Sequence, residues 1–285
     1  MSRTAPSGYG NSRRQQPCPS AFPLAHRAIS QLPAQRVEMK YPPVTRSEPV
    51  YGIHAVKEAV ESRPIEHVLV AEGAANPRLQ QIIDRCRARG VAIRFVPRAA
   101  LSRRAGTTRH QDILAVCAAK AYDSLETLVE MSATPLLVVL DGVQDPANLG
   151  AVIRTAVGAG ADGIVIPERR AVGLSPAVAR TAAGALEHAR VARVPNLAEA
   201  MRTLKEGGAW IYGFEPGAAV SHFELDYRGA CALIFGGEGR GLHRLIRETC
   251  DRLASIPLPD AVESLNVSVA AAVVLYEAVR QRRPG

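Results

Sequence analysis

Three segments of the chain combine polar side chains with glycine or other small residues, and each follows an apolar run. The first is DGVQDPANLGAVIRTA, residues 141–156, in which Asn148 and Arg154 are the candidate functional residues. The asparagine is placed to cap a helix, and capping alone would account for it. The arginine interrupts an apolar helical stretch, which indicates more than a solvated side chain.

The second segment is FGGEGRGL, residues 235–242, and it contains Glu238 between glycines. Four glycines in six residues allow backbone N–H groups to approach a ligand closely. The spacing is GxGxG, whereas a dinucleotide site has GxGxxG, but Asp260 lies about twenty residues further on, as such a site requires. A dinucleotide site and a glycine turn without any ligand therefore remain alternatives.

The third segment runs from the IPL tripeptide at 256–258 to SLNVSVA at 264–270. Small residues dominate the start of the predicted helix, so another group can pack closely against it. Ser264, Asn266 and Ser268 place polar groups in an otherwise apolar run. A capped helix with a satisfied buried asparagine would explain them, and so would a binding site.

Continuous apolar runs predict the strands that position these segments, at 136–140, 163–166, 190–194, 209–214, 232–235 and 253–258. Helical stretches separate most of them, and a long helix is predicted at about 265–283. Such runs are typical of a parallel sheet covered by helices on both faces. Ligands bind beyond the carboxyl ends of such strands, where the three segments lie.

The part of the chain before residue 135 has a different composition. Residues 1–49 hold eight of the twenty prolines, which indicates a disordered basic arm. Residues 50–121 are predicted as a small α/β domain, residues 122–134 as a polar, partly helical linker, and residues 135–285 as a larger α/β domain. The small domain should contain helices at 52–62 and 77–89 and strands at 65–71, 91–96 and 112–118.

Positive charge is concentrated in the first 121 residues. Residues 1–50 carry seven basic and two acidic side chains, residues 51–121 carry twelve and six, and residues 122–285 carry sixteen and nineteen. A basic front on a slightly acidic body indicates a polyanionic partner, although an ordinary basic surface is the alternative. No apolar run is long enough to span a membrane. The five cysteines lack metal or redox spacing, so free thiols in the cytoplasm are expected.

Together the three segments resemble the signature motifs of the SpoU family within the SPOUT methyltransferases. The family patterns are DxVxDPxNLGAxxRTA, FGxEGxGL and IPLxxxxxSLNVSVAxxxxLYE, and all three are intact and in order here. The resemblance covers residues 135–283. In the small domain, YGIHAV at 51–56 and RHQ at 109–111 resemble the substrate-binding domain of the family's 23S rRNA guanosine-2′-O-methyltransferases.

The resemblance implies a trefoil-knotted α/β catalytic domain that works as a homodimer, behind an L30e-like RNA-binding domain. Periodicity and spacing do not show a knot. The implied reaction moves a methyl group from S-adenosylmethionine, without a metal, to a ribose 2′-hydroxyl, with a guanosine of 23S rRNA as the expected target. The match implies that Arg154 is catalytic and that Asn148, Glu238, Ser264 and Asn266 orient groups. It implies cofactor contacts for Gly236, Ile256 and Leu265.

Three other functions remain open at the level of sequence. A tRNA methyltransferase or an antibiotic-resistance rRNA methyltransferase would carry the same motifs. A non-catalytic RNA-binding protein could retain the fold, although the intact polar motif residues speak against it. A nucleotide-dependent oxidoreductase would use the glycine-rich segment differently.

Overall fold

Two separate sheets form the body of the protein in a computed structural model that describes residues 47–283. The predicted arm lies outside the described residues except at its end, where a strand begins at Ser47. No helix within the described part is long and apolar enough to cross a membrane.

The small domain has a four-stranded sheet in the order β1-β4-β2-β3, with β3 parallel to β2 and the other pairs antiparallel. Its elements are β1 (Ser47–Tyr51), α1 (Ile53–Ser62), β2 (Ile65–Ala71), α2 (Pro77–Ala88), β3 (Ile93–Val96), α3 (Arg98–Ala105) and β4 (Ile113–Ala118).

Two of these elements, β1 and α3, differ from the sequence-based expectation. The arm was expected to reach residue 49, but β1 already pairs with β4 from Ser47 onward. Pro49 argues against a strand in sequence, yet β1 lies at the sheet edge, where a proline is tolerated. Helix α3 buries only Leu101, so it has no apolar period from which to predict it.

The two small-domain segments that carry the resemblance contact each other. Gln111 Oε1 accepts a hydrogen bond of 2.8 Å from the N–H of Ile53, at the start of α1. His110 is fully buried, and its Nδ1 accepts from the N–H of Asp112 at 3.1 Å while Nε2 lies 2.9 Å from Ser102 Oγ. Burial lowers the pKa of His110, so the ring is neutral and holds the loop before β4 in place.

The large sheet has seven strands in the order β7-β6-β5-β10-β8-β11-β9, and all its strand pairs are parallel. Its strands are β5 (Leu136–Asp141), β6 (Gly163–Pro167), β7 (Val191–Val194), β8 (Trp210–Phe214), β9 (Val220–Ser221), β10 (Cys231–Gly236) and β11 (Arg252–Ser255). Its helices are α4 (Leu125–Glu130), α5 (Pro146–Gly158), α6 (Pro176–Ala182), α7 (Leu197–Glu206), α8 (Arg244–Thr249) and α9 (Val267–Arg282). The predicted fold class, a parallel α/β sheet behind a smaller α/β domain, is confirmed.

Helices cover both faces of the large sheet, which explains its continuous apolar strands. Along β5, Val138 and Leu140 pack with residues of α5, α6 and α9, whereas Leu137 and Val139 pack with residues of α4, α7 and α8. All six residues of β5 are buried. Among residues 47–283, cysteines 86, 117, 231 and 250 form no disulfide bond, and Cys18 lies outside the described residues. Burial raises the pKa of Cys117 to about 11 and that of Cys250 to about 12, so both stay protonated at neutral pH.

The segment predicted as a linker is bound to the large sheet. The N–H of Asp123 donates to the carbonyl of Val191 at 2.9 Å, and the Asp123 carboxylate accepts from the N–H of Val191 at 3.0 Å. Leu128 of α4 is fully buried in one of the two large cores. Residues 122–130 therefore belong structurally with the large sheet.

A buried ion pair joins the two domains. The Arg63 guanidinium, at the end of α1, bonds to both oxygens of Glu187 and to Glu48. The side chains of Arg63 and Glu187 are only 6% and 2% exposed. Lys120 adds a bond to the carbonyl of Glu187 at 3.1 Å. These contacts hold the small domain against the segment between α6 and β7.

Candidate active site

The three segments singled out in sequence meet at one edge of the large sheet. Strands β5, β10, β8 and β11 are neighbours, and they end at Asp141, Gly236, Phe214 and Ser255. On one side of β5 lie the next two strands in the chain, β6 and then β7. The chain then crosses to the other side of β5, where β10, β8 and β11 lie. This reversal is the position at which open parallel sheets bind ligands.

A cavity of about 730 Å³ opens at this edge. Its wall contains residues from the second and third segments and from the end of β8. Six residues predicted for the site line it, namely Gly236, Glu238, Ile256, Ser264, Leu265 and Asn266.

The glycine-rich segment folds tightly on itself to form one wall. The N–H of Gly237 donates to the carbonyl of Asp141 at 2.8 Å, and the N–H of Gly241 donates to the carbonyl of Gly237 at 3.1 Å. A Cβ at Gly236 would lie 2.3 Å from the Gly241 carbonyl oxygen, and one at Gly237 would lie 2.4 Å from that of Gly142. Only glycine fits at both positions, so the backbone itself forms the wall.

Two asparagines link the first and third segments. Asn266 Nδ2 donates to Asn148 Oδ1 at 3.1 Å, and Asn266 Oδ1 accepts from the N–H of Ser268 at 2.9 Å, which caps α9. The prediction that Asn148 caps α5 is wrong, because Asp145 does so by accepting from the N–H of Ala147 at 2.8 Å. Asn148 is buried in the first turn of α5, so its amide is free to hold Asn266.

Arg154 is the predicted site residue that lies apart from the others. It is exposed on α5, it does not line the cavity, and it forms no hydrogen bond or ion pair with another residue of 47–283. One turn further along α5, a Cβ at Gly158 would lie 3.7 Å from the hydroxyl of Tyr276 on α9. Arg154 therefore lies one helical turn from the point where α5 approaches Tyr276, and its role stays a prediction.

Sequence reasoning missed several residues around the cavity. Glu215 and Arg247 line it and form an ion pair of 2.8 Å. Glu215 follows β8, and the sequence analysis did not single out the end of that strand. Nothing in the sequence indicates that Glu215 lies close to Arg247 of α8.

Glu238, which was predicted for the site, is exposed and has no ion-pair partner within residues 47–283. Across the same range, no group of three His, Cys, Asp or Glu side chains is arranged to hold a metal ion.

Asp141 opens the first segment, but the sequence predicts no site role for Asp141 or for His243. Asp141 ends β5, and His243 follows the glycine-rich segment, so they stand far apart in the chain. In the fold, His243 Nδ1 lies 2.9 Å from Asp141 Oδ1, and the His243 N–H donates to Asp141 Oδ2 at 2.7 Å. Neither residue lines the cavity.

The sequences of both domains match known protein families, and most of the chain matches a known protein. Residues 135–276 match the SpoU rRNA Methylase family, and residues 49–123 match the RNA 2′-O ribose methyltransferase substrate-binding family. The 23S rRNA (guanosine-2′-O-)-methyltransferase RlmB of Xanthomonas campestris pv. campestris is 44% identical over 239 residues, which cover 82% of this chain and 96% of that protein.

Two solved structures share the fold. The SpoU methyltransferase AviRb from Streptomyces viridochromogenes, in complex with the cofactor AdoMet, has a TM-score of 0.71 and 25% identity, and the match covers 83% of this chain and 90% of that one. The AdoMet-bound rRNA methyltransferase from Sinorhizobium meliloti has a TM-score of 0.71 and 26% identity, with coverage of 84% and 89%. The chain belongs to the SpoU rRNA methylase family.

Proposed function

We propose that this protein transfers a methyl group from S-adenosylmethionine to the ribose 2′-oxygen of a guanosine in 23S rRNA. The observation that carries the proposal is the cavity at the reversal point of the sheet, where the family's second and third motifs meet and Asn266 contacts the first. The 44% identity to a protein named as a 23S rRNA guanosine methyltransferase supports the choice of substrate.

The cavity suits S-adenosylmethionine in size and in chemistry. At about 730 Å³ it falls within the range of ordinary cofactor sites, about 300 to 1,000 Å³. Its glycine wall brings backbone groups close to a ligand, and Glu238, a lining carboxylate without an ion-pair partner among residues 47–283, suits a sulfonium cation. Gly236, Ile256 and Leu265 would hold the cofactor. When bound, S-adenosylmethionine supplies an electrophilic methyl group for an in-line displacement.

The remaining task of the protein is to orient and activate a weak nucleophile, because a ribose hydroxyl is barely acidic at neutral pH. We assign orienting hydrogen bonds to Asn148, Glu238, Ser264 and Asn266. The pairing of Asn266 with Asn148 supports this, since it fixes the Asn266 amide at the cavity wall. For Arg154 we propose a bidentate contact with a phosphate near the reacting ribose, which would favour the alkoxide. A guanidinium is a poor general base because it hardly deprotonates.

We assign RNA binding to residues 50–121 and catalysis to residues 135–285. Several exposed arginines of the small domain have no ion-pair partner within the described part of the chain, and four of these lie close together in sequence: Arg94, Arg103, Arg104 and Arg109. Unpaired arginines are available for phosphate contacts. The sequence favours Arg98, Arg103, Arg104 and Arg109 for this role, three of them close to a predicted loop. In the structure Arg98 pairs with Asp112 at 3.1 Å, and Arg103 and Arg104 lie on α3.

We also propose a homodimer and a cytoplasmic location, where ribosomal RNA is found. One face of α9 exposes Val269, Val273 and Tyr276, which are 48%, 37% and 54% exposed. Their spacing of four and three residues places them on one side of the helix. A second copy packed on this face would cover them and would approach α5, because Tyr276 lies near Gly158, one turn from Arg154. That approach would account for the position of Arg154 outside the cavity of its own chain.

The direct test is methyl transfer in vitro. The purified chain is incubated with methyl-labelled S-adenosylmethionine and with 23S rRNA, 16S rRNA or tRNA from cells that lack the gene, and the RNA is digested to nucleosides. We expect label in 2′-O-methylguanosine from 23S rRNA alone. Label in tRNA would favour the tRNA branch of the family, and RNA binding without transfer would show a non-catalytic protein.

A further inference from the structure

One residue, Asp141, is bonded to both ends of the glycine-rich loop, which comprises residues 236–243. At the start of the loop, the Asp141 carbonyl accepts from the N–H of Gly237 at 2.8 Å. At the end of the loop, the Asp141 carboxylate accepts from the N–H of His243 at 2.7 Å and lies 2.9 Å from His243 Nδ1. The loop is thus closed over the end of β5 by a single anchoring residue.

The anchor is buried, while its ring partner is partly open to solvent. The side chain of Asp141 is 8% exposed and that of His243 is 38% exposed. A buried carboxylate is costly unless hydrogen bonds replace its water. The backbone N–H and the ring Nδ1 of His243 provide these hydrogen bonds. They therefore hold His243 next to the end of β5.

Close packing restricts the loop to this arrangement. A Cβ at Gly142, the residue after Asp141, would lie 3.2 Å from His243 Cε1. The Gly142 carbonyl in turn occupies the space that a side chain at Gly237 would need. Both ends of the loop therefore pack directly against residues 141 and 142, and between those ends the loop forms the cavity wall.

We propose that Asp141 and His243 are positioning residues for cofactor binding: they hold loop 236–243 in the shape that receives S-adenosylmethionine. Neither side chain lines the cavity, so they act through the loop backbone. The proposal rests on the proposed function, because it takes S-adenosylmethionine as the occupant. It adds the hydrogen bonds between Asp141 at the end of β5 and His243, two residues to which no role in methyl transfer was assigned above.

The test compares His243→Ala with His243→Asn. The alanine variant loses the ring donor and keeps the backbone bond, whereas asparagine can place an amide donor near the position of Nδ1. We expect His243→Ala to weaken binding of S-adenosylmethionine about tenfold in calorimetry, which is the scale of one hydrogen bond to a charged group. KM for the cofactor should rise similarly, kcat at saturating cofactor should change less than twofold, and His243→Asn should recover most of the loss. Asp141→Asn, which weakens both bonds, should bind more weakly than His243→Ala.

Arg244→Ala is the matched control, since Arg244 follows His243 directly, is 88% exposed and pairs only with Glu248 among the described residues. It should bind the cofactor as the wild type does. Unchanged affinity in His243→Ala would overturn the proposal. So would a parallel fall in cofactor affinity and melting temperature that His243→Asn does not recover, because that result shows a purely structural role. A wild-type chain that binds no S-adenosylmethionine would instead contradict the proposed function, and this inference with it.

Discussion

Arg154 lies on the exposed side of α5, whereas six of the other residues assigned to methyl transfer line one cavity. If Arg154 grips a phosphate in the transition state, its loss removes a charged contact without touching the cofactor site. We predict that Arg154→Ala lowers the turnover rate by about two to three orders of magnitude. Calorimetry should show unchanged affinity for S-adenosylmethionine.

Arg202→Ala provides the control for this prediction, because Arg202 is a half-exposed arginine of α7 that pairs with Glu199. It should turn over at the wild-type rate. An Arg154→Ala variant that keeps more than half of the wild-type rate would remove Arg154 from the mechanism.

At the level of single residues, sequence predicts those that belong to a dense motif. The sequence predicts Gly236, Glu238 and Asn266 because glycine clusters and polar residues in apolar runs are visible in it. Glu215 and His243 were missed because their partners, Arg247 and Asp141, become neighbours only through the fold. Asn148 was given the wrong local role because Asp145 competes for the same cap.

Helix α9 carries a buried carboxylate whose charge stabilises the folded state. Two hydrogen bonds from Arg280, both 2.8 Å, hold the pKa of Glu277 at about 2, below its usual value of 4.5. Because the folded-state pKa is the lower one, this stabilisation is present above about pH 4.5 and is lost as the pH falls toward about 2.

We predict that Glu277→Gln lowers the free energy of unfolding by about 1 to 2 kcal/mol at neutral pH. The gap between wild type and variant should narrow from about pH 5 to pH 3.5 in urea titrations. Glu206→Gln, at an exposed position of α7, should leave stability unchanged across the same range. A gap that stays constant with pH would show that the charge of Glu277 does not stabilise the fold.

Among the elements, the strands of the large sheet were the most predictable. Burial on both faces makes them continuous apolar runs, and β5 and β10 were located to within one residue at each end. The run at 253–258 was predicted too long, because β11 ends at Ser255 where the cavity wall begins. The short strand β9 has two residues, too few to give a pattern.

At the scale of the whole molecule, the buried Arg63–Glu187 pair fixes the small domain to the domain of the large sheet. We predict that a chain beginning at Met39 methylates RNA at the rate of the full chain, since β1 begins only at Ser47. A chain beginning at Tyr122 keeps the contacts of Asp123 and Leu128 to the large sheet, and it should bind S-adenosylmethionine but lose RNA affinity.

Filter binding at several salt concentrations would measure the RNA affinity of both chains, because phosphate contacts weaken steeply with salt. If the chain beginning at Tyr122 bound RNA as tightly as the full chain, the assignment of RNA binding to the small domain would be wrong.

The exposed face of α9 gives a prediction for the assembly. Val273→Arg places a charge in the middle of the proposed dimer face, so it should yield a monomer in sedimentation experiments. Met131→Arg, at another exposed apolar position, should leave the mass unchanged. A Val273→Arg variant with the mass of the wild type would place the interface elsewhere or show that the wild type is itself a monomer.

The order of the strands was beyond prediction from residues alone. Nothing in the apolar run of β10 indicates that it inserts between β5 and β8, because pairing between distant strands leaves no periodic signal. That insertion brings Gly236 beside Asp141 and creates the site. A knot also depends on how distant segments pass one another, which leaves no periodic signal in sequence. The trefoil knot implied by the family resemblance therefore stays a prediction.

The most direct test of the central claim is ribose-methylation mapping of total RNA from cells with and without the gene. We predict that one guanosine of 23S rRNA loses its 2′-O-methyl group in the deletion strain. The wild-type gene should restore that methyl group, and the Arg154→Ala gene should not. Unchanged 23S rRNA, or a loss of methylation confined to tRNA, would contradict the account.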